Sequence, residues 1–169
     1  NTSEPWKVTI VDTGLNTKTG GRIKRIQKYI GNETFLLTYG DGLCDVPIDC
    51  LVTFHQDHQC MVTLTAIQPG GRFGTLDMMV DGKIKSFSEK KKEDGGWING
   101  GYMVLEPSVF DIIDGDDIVF EREPLEYCAK RKLLNAYIHN GFWQCMDTLR
   151  DKELLEGLIQ EKAAPWMKW

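Results

Sequence analysis

The chain has 169 residues, 41% of them hydrophobic and 27% charged, which excludes a disordered polymer and allows one domain with a sizeable core. Its net charge of −5 argues against nucleic acid as the main partner, because phosphate backbones are held by an excess of Lys and Arg. No run approaches the roughly 20 apolar residues of a membrane span, and the start, Asn1-Thr2-Ser3-Glu4-Pro5-Trp6, lacks the features of a signal peptide.

In chain order, Val8-Thr9-Ile10-Val11 predicts a buried strand. Thr19 is placed to cap a helix in which Ile23, Ile26 and Ile30 recur on one face, leaving Lys24, Arg25 and Lys28 to water. Phe35-Leu36-Leu37-Thr38 predicts a second buried strand. A helix follows, with Pro47 near its start and Ile48, Leu51 and Val52 inward. Residues 61–66, rich in β-branched side chains, predict a third strand. This strand-helix alternation implies a parallel sheet flanked by helices. Residues 73–87 then predict a hairpin turning at Asp81-Gly82, and residues 90–96 a polar loop. Residues 98–105 return to strand character, Glu106-Pro107 opens a short helix through Ile113, and residues 125–133 predict another helix. Residues 136–138 predict a strand running into Phe142-Trp143. The last helix starts at Thr148, whose spacing to Asp151 is that of a capping box, with Leu154, Leu155, Leu158 and Ile159 as its inner stripe. The fold class is α/β, with antiparallel excursions on a mainly parallel sheet.

Several residues have both a chemical and a plainer reading. Asp41, in Tyr39-Gly40-Asp41-Gly42, follows a predicted strand, where ligands of open α/β sheets bind, yet an Asp between glycines also suits an ordinary turn. Asp147 offers the hard oxygen that Mg²⁺ prefers, or simply an acid ahead of a helix N-terminus. Thr17-Lys18-Thr19-Gly20-Gly21-Arg22 places glycines at a helix start, where backbone N–H groups meet a phosphate, with Arg22 as a planar donor; a turn with a solvated Arg is the alternative. Glu89 and Lys90 are suited to a sugar hydroxyl and a sugar phosphate, although Lys90-Lys91-Lys92 also reads as a solvated charge run. His55 and His58 read as partly exposed helix residues rather than a zinc pair, and His139 stands alone. The five cysteines, Cys44, Cys50, Cys60, Cys128 and Cys145, form no C-x-x-C pair and read as reduced, mostly packed thiols of a cytoplasmic protein.

The order of these pieces is more telling than any one of them. Val11-Asp12-Thr13-Gly14, Thr19-Gly20-Gly21-Arg22-Ile23-Lys24-Arg25 and Thr38-Tyr39-Gly40-Asp41-Gly42 resemble segments of glucose-1-phosphate cytidylyltransferases, members of the sugar-phosphate nucleotidyltransferases. Gly71-Arg72-Phe73-Gly74, Trp97-Ile98-Asn99-Gly100-Gly101, Phe142-Trp143-Gln144, Met146-Asp147-Thr148-Leu149-Arg150-Asp151 and Ala164-Pro165-Trp166 resemble the same family in the same order. The resemblance implies a Rossmann-like fold and transfer of a cytidylyl group from CTP to glucose 1-phosphate, giving CDP-glucose and pyrophosphate for bacterial surface polysaccharide. It implies that Asp41 and Asp147 hold Mg²⁺, that Thr17, Arg22 and Gly40 contact nucleotide or substrate, that Lys90 grips the sugar phosphate and Glu89 the sugar, and that the protein forms a homo-oligomer.

Three departures from the family pattern stand out. Its opening strand and Gly-rich loop do not precede Asn1, so residues 1–169 are expected to be one N-terminally truncated domain, inactive in this form. The family's Glu-Lys-Pro reads Glu89-Lys90-Lys91, and Cys145 stands where the family has Pro. The rival expectations are a nucleotidyltransferase of other base or sugar choice and a non-catalytic, sugar-nucleotide-binding fragment.

Overall fold

The computed structural model describes residues 5–69, 75–78, 84–88 and 96–168. In chain order these form α1 (Thr19–Arg25), α2 (Gln27–Ile30), β1 (Phe35–Thr38), β2 (Gly42–Cys44), α3 (Ile48–His58), β3 (Val62–Ile67), β4 (Thr75–Met78), β5 (Ile84–Ser88) and β6 (Ile98–Leu105). A 3-10 helix (Pro107–Ile112), α4 (Glu123–Lys130), β7 (Leu134–Ile138), β8 (Trp143–Cys145) and α5 (Leu149–Gln160) complete the order.

Four strands make the central sheet, in the order β1-β6-β3-β7. β6 runs antiparallel to both of its neighbours and β7 runs parallel to β3, so β1, β3 and β7 point one way and β6 is reversed. The predicted α/β class therefore stands, as a mixed sheet. The central strand β3 is almost wholly buried, as a strand covered on both faces must be, whereas Leu36 of edge strand β1 is exposed. β4 and β5 pair antiparallel as a separate ribbon, as the hairpin expectation required; its Asp81-Gly82 turn lies outside the described residues.

Successive side chains of a strand point to opposite faces. On one face of β3, Val62 joins Phe35, Met103, Leu105, Val109, Phe110, Ile113, Phe120, Leu125 and Cys128, gathered from β1, β6, the 3-10 helix and α4. Phe110 stacks on Phe35 at 5.4 Å between centroids. Thr63 faces the other side, where α3 lies and buries Leu51 and His55.

That burial corrects one expectation. His55 is 1% exposed; its ring nitrogens lie 2.8 Å from Thr63 Oγ1 and 3.0 Å from Glu106 Oε1. Four residues on from Leu51, it continues the inward stripe, and two polar partners make its burial tolerable. His58 is exposed, as expected.

Residues 8–11 form no strand. Val8 is 75% and Ile10 93% exposed, and among the described residues no strand pairs with them. Apolar, β-branched composition favours a strand only where a neighbouring edge takes up its backbone hydrogen bonds. The stripe of α5 is also narrower than predicted: Leu155 is 3% exposed, but Leu154 is 50% and Ile159 47% exposed. The Thr148–Asp151 capping box is present in full.

α1 differs in its details. Thr19 is its first residue rather than its cap; the Thr19 hydroxyl donates to Glu121 Oε2 at 2.6 Å and accepts from the Phe120 N–H at 2.9 Å. Lys24 donates to the Phe110 carbonyl at 2.6 Å, and Arg25 pairs with Asp116 at 2.5 Å, so neither simply faces water. The Arg25 guanidinium holds the Asp116 carboxyl below its ordinary value.

The two glycines of α1 are needed for packing. Lys18 and Gly20 donate backbone hydrogen bonds to the carbonyls of Asp116 and Ile118 at 2.8 and 2.9 Å. A Cβ on Gly21 would lie 2.6 Å from both Cα and the carbonyl oxygen of Asp116. In an open helix Gly→Ala gains about 1 kcal/mol. Here the clash is with backbone, so Gly21→Ala is expected to destabilise by about 1–3 kcal/mol, as overpacking does. Urea melts of the two proteins check the sign, and a raised midpoint would refute the packing role.

Candidate functional site

The chain leaves edge strand β1 at Thr38 and edge strand β7 at Ile138. Both strands point the same way, so residues 39–45 and 139–147 emerge at the carboxyl end of the sheet, where open α/β folds bind ligands. There the two segments meet as the β2–β8 ladder, with Gly42 opposite Cys145, Leu43 opposite Gln144 and Cys44 opposite Trp143. The ladder is tied down to β6, since the Trp143 indole N–H donates to the Gly100 carbonyl at 2.7 Å and the Tyr102 hydroxyl to the Gly42 carbonyl at 2.8 Å. Gln144 donates to Asp151 Oδ1 at 3.0 Å, which links β8 to the first turn of α5.

This ladder sets the positions of Asp41 and Asp147. The Met146 N–H donates to the Asp41 carbonyl at 2.7 Å, one step beyond the Gly42–Cys145 pair. Asp41 and Asp147, 106 residues apart in the chain by their numbers (147 minus 41), thus flank one end of a single antiparallel pairing. Both are exposed. The Cys145 thiol approaches Asp147 Oδ2 at 3.4 Å, and no Lys or Arg bridges either carboxylate among the described residues. Two exposed carboxyl residues on adjoining backbone segments offer hard oxygen donors, the chemistry that Mg²⁺ takes while keeping most of its water.

Gly40 borders this site and is exposed; a Cβ there would meet nothing within 4 Å among the described residues, so that side of the loop is open to a ligand. Gly101, at φ +81°, lets β6 pass over the Tyr39 ring, which a Cβ would approach to 2.6 Å. Thr17 is 8% exposed, directly ahead of α1. Arg22 folds back over the preceding turn, donating to Thr13 Oγ1 at 2.6 Å and to the Leu15 carbonyl at 3.2 Å. Glu89 and Lys90 lie outside the described residues.

Two arrangements had no signal in the sequence. Glu121 joins α1 to the Asp41 loop, because its carboxylate accepts from Thr19 on one oxygen and from the Tyr39 hydroxyl, at 2.5 Å, on the other. Burial, and then the Glu121 carboxylate, push the Tyr39 phenol well above its ordinary value, so it stays a donor at neutral pH. His139 is not alone. Its Nε2 lies 2.8 Å from Asp45 Oδ1, which also accepts from the Phe142 N–H at 2.7 Å. Burial pushes the neighbouring Cys44 thiol up to about 11.

Known proteins share the sequence family and the fold. The nucleotidyl transferase family profile matches residues 6–148. Glucose-1-phosphate cytidylyltransferase of Salmonella typhi is 53% identical over 98% of this chain and 65% of its own length. Mannose-1-phosphate guanylyltransferase catalytic subunit beta of Drosophila pseudoobscura pseudoobscura is 32% identical over 79% of this chain and 38% of its own. The chain thus spans about 65% of the length of its cytidylyltransferase relatives. UDP-glucose pyrophosphorylase, solved in complex with UDP-glucose, shares the fold with a TM-score of 0.65 at 20% identity, over 90% of this chain and 65% of that one. HddC from Yersinia pseudotuberculosis shares it with a TM-score of 0.58 at 23% identity, over 83% of this chain and 61% of that one.

Proposed function

Since the chain belongs to the nucleotidyl transferase family, we propose that it forms the greater part of an enzyme that transfers a cytidylyl group from CTP to glucose 1-phosphate, releasing pyrophosphate. The observation that supports this reading is the β2–β8 ladder, whose strands join the backbone segments that carry Asp41 and Asp147 at the carboxyl end of the sheet. Cytidylyl rather than guanylyl chemistry follows from the relatives, 53% identity to a cytidylyltransferase against 32% to a guanylyltransferase.

In this reading a phosphate oxygen of glucose 1-phosphate bonds to the α-phosphorus of CTP as the bond to pyrophosphate breaks. A phosphate monoester is already ionised at neutral pH, so no general base is needed, and positioning and charge stabilisation do the work. Asp41 and Asp147 would hold Mg²⁺, which would supply positive charge to the triphosphate. Arg22 and Lys90 add cationic donors, Lys90 on the sugar phosphate. Thr17 and Gly40 bound the nucleotide, and Glu89 takes a sugar hydroxyl.

Pyrophosphate release is the test, with glucose 1-phosphate, Mg²⁺ and each nucleoside triphosphate in turn. It is run on this chain and on the chain extended to the length of its relatives. Release with CTP alone is expected from the extended chain. Release with another triphosphate alone would move the base assignment, and none with any would leave a binding protein.

We further propose a cytoplasmic protein without a nucleic-acid partner, supported by five free thiols and net negative charge. Among the described residues no helix is long and apolar enough to cross a membrane. We also propose assembly with further copies of the chain, which sedimentation showing only monomers would contradict.

A further inference from the structure

We propose that Cys44, Asp45 and His139 form a second metal site, for an ion of the zinc class, at the opposite end of the β2–β8 ladder from Asp41 and Asp147. The proposal stands on geometry and ligand chemistry and does not depend on the function proposed above.

The ligand atoms come first. Sγ of Cys44, a carboxylate oxygen of Asp45 and a ring nitrogen of His139 all lie within 4.8 Å of one another. An ion held at about 2.0–2.3 Å from each ligand in tetrahedral geometry needs separations of roughly 3.3–3.8 Å, so the widest separation closes by at most about 1–1.5 Å, within the reach of side-chain rotation. Asp45 Oδ1 and His139 Nε2, at 2.8 Å, must part slightly, with the ion replacing their hydrogen bond. One sulfur, one nitrogen and one oxygen are the wrong set for Mg²⁺ or Ca²⁺, which take oxygen alone, and the right set for Zn²⁺.

The backbone already holds the ligands in place. Cys44 is fixed by its pairing with Trp143, and the Asp45 N–H donates to the Phe142 carbonyl at 3.2 Å. The Phe142 N–H returns a bond to Asp45 Oδ1 at 2.7 Å, the kind of outer contact that orients a ligating carboxylate. The His139 N–H is anchored on the Ala66 carbonyl at 2.9 Å, at the end of β3. His139 is 8% exposed while Cys44 and Asp45 are half-buried, so the fourth position opens to water. The plainer account is a His–Asp hydrogen bond that braces the loop. The Cys44 thiol also meets the backbone of Asp45 and Val46 while lying within reach of both other ligand atoms, and only an ion would use all three together.

An ion here would clip β2 to the loop after β7 and fix the ladder register from one end, while Asp41 and Asp147 use the other. Binding expels the thiol proton to solvent, so it weakens as pH falls.

The test is direct metal binding by the purified chain after chelator treatment, with Co²⁺ and Zn²⁺ alone as probes. One equivalent of Co²⁺ is expected to produce thiolate-to-metal charge-transfer absorption that Zn²⁺ bleaches, and Zn²⁺ should raise the thermal midpoint. Cys44→Ala keeps the Asp45–His139 hydrogen bond and hence the fold, which circular dichroism checks. It should lose the absorption and weaken Zn²⁺ binding by at least about 100-fold, with Asp45→Asn weakening it as a second variant. Absence of the absorption in the parent chain overturns the proposal, as does its persistence in folded Cys44→Ala.

Discussion

Asp147→Asn lowers pyrophosphate release from CTP and glucose 1-phosphate by about 10²–10³-fold or more in the extended chain, with the thermal midpoint almost unchanged. The activity loss follows from charge: Asn is nearly the same size but brings a neutral amide where a carboxylate must hold a divalent cation. The fold is spared because Asp147 is exposed and the work at the start of α5 is done by its neighbours. Thr148 accepts from the Asp151 N–H at 3.2 Å, and Asp151 accepts from the Thr148 N–H at 3.0 Å. Asp41→Asn behaves alike, and the double variant falls little further than either one, because two ligands of one ion act as a unit. Turnover and a thermal melt on the same preparations check this. Normal turnover in Asp147→Asn would remove the metal assignment and leave an acid at a helix start.

Phe110→Ala costs about 3–5 kcal/mol of stability, the range for truncating a fully buried phenyl ring. Phe110 is 0% exposed, stacks on Phe35 and lies within a cluster fed by β1, β6, the 3-10 helix and α4. The surrounding elements are held by sheet hydrogen bonds, so they cannot collapse to fill the space. For a chain of this size the loss lowers the melting midpoint by about 10 °C or more. Scanning calorimetry measures it. A fall of less than about 1 kcal/mol would mean that the 3-10 helix is not packed as described.

The blocks that carry the candidate site are legible in the sequence because each is local. The family resemblance rested on short blocks, and Tyr39-Gly40-Asp41-Gly42 and Met146-Asp147-Thr148 both lie on the two segments that form the ladder. The capping box at Thr148 needed only a spacing of three residues. What was misread involved partners far away in the chain. The helix pattern of α3 predicts a partly exposed His55, because Glu106, 51 residues on, is invisible from α3. Gly20 and Gly21 at a helix start suggest a phosphate approach, and it is Asp116 and Ile118 that come close to them. The helix pattern leaves Arg25 to solvent, whereas the fold pairs it with Asp116, 91 residues away.

Composition and periodicity determined the α/β class, β3, β6 and the capped start of α5, because burial period, β-branching and capping chemistry act over a few residues. Tertiary structure alone decided that β6 is reversed between β1 and β3, that residues 8–11 form no strand, and that Asp45 meets His139 94 residues later. Those outcomes depend on which edges and side chains remain available once the other elements have packed, and no local pattern encodes that competition.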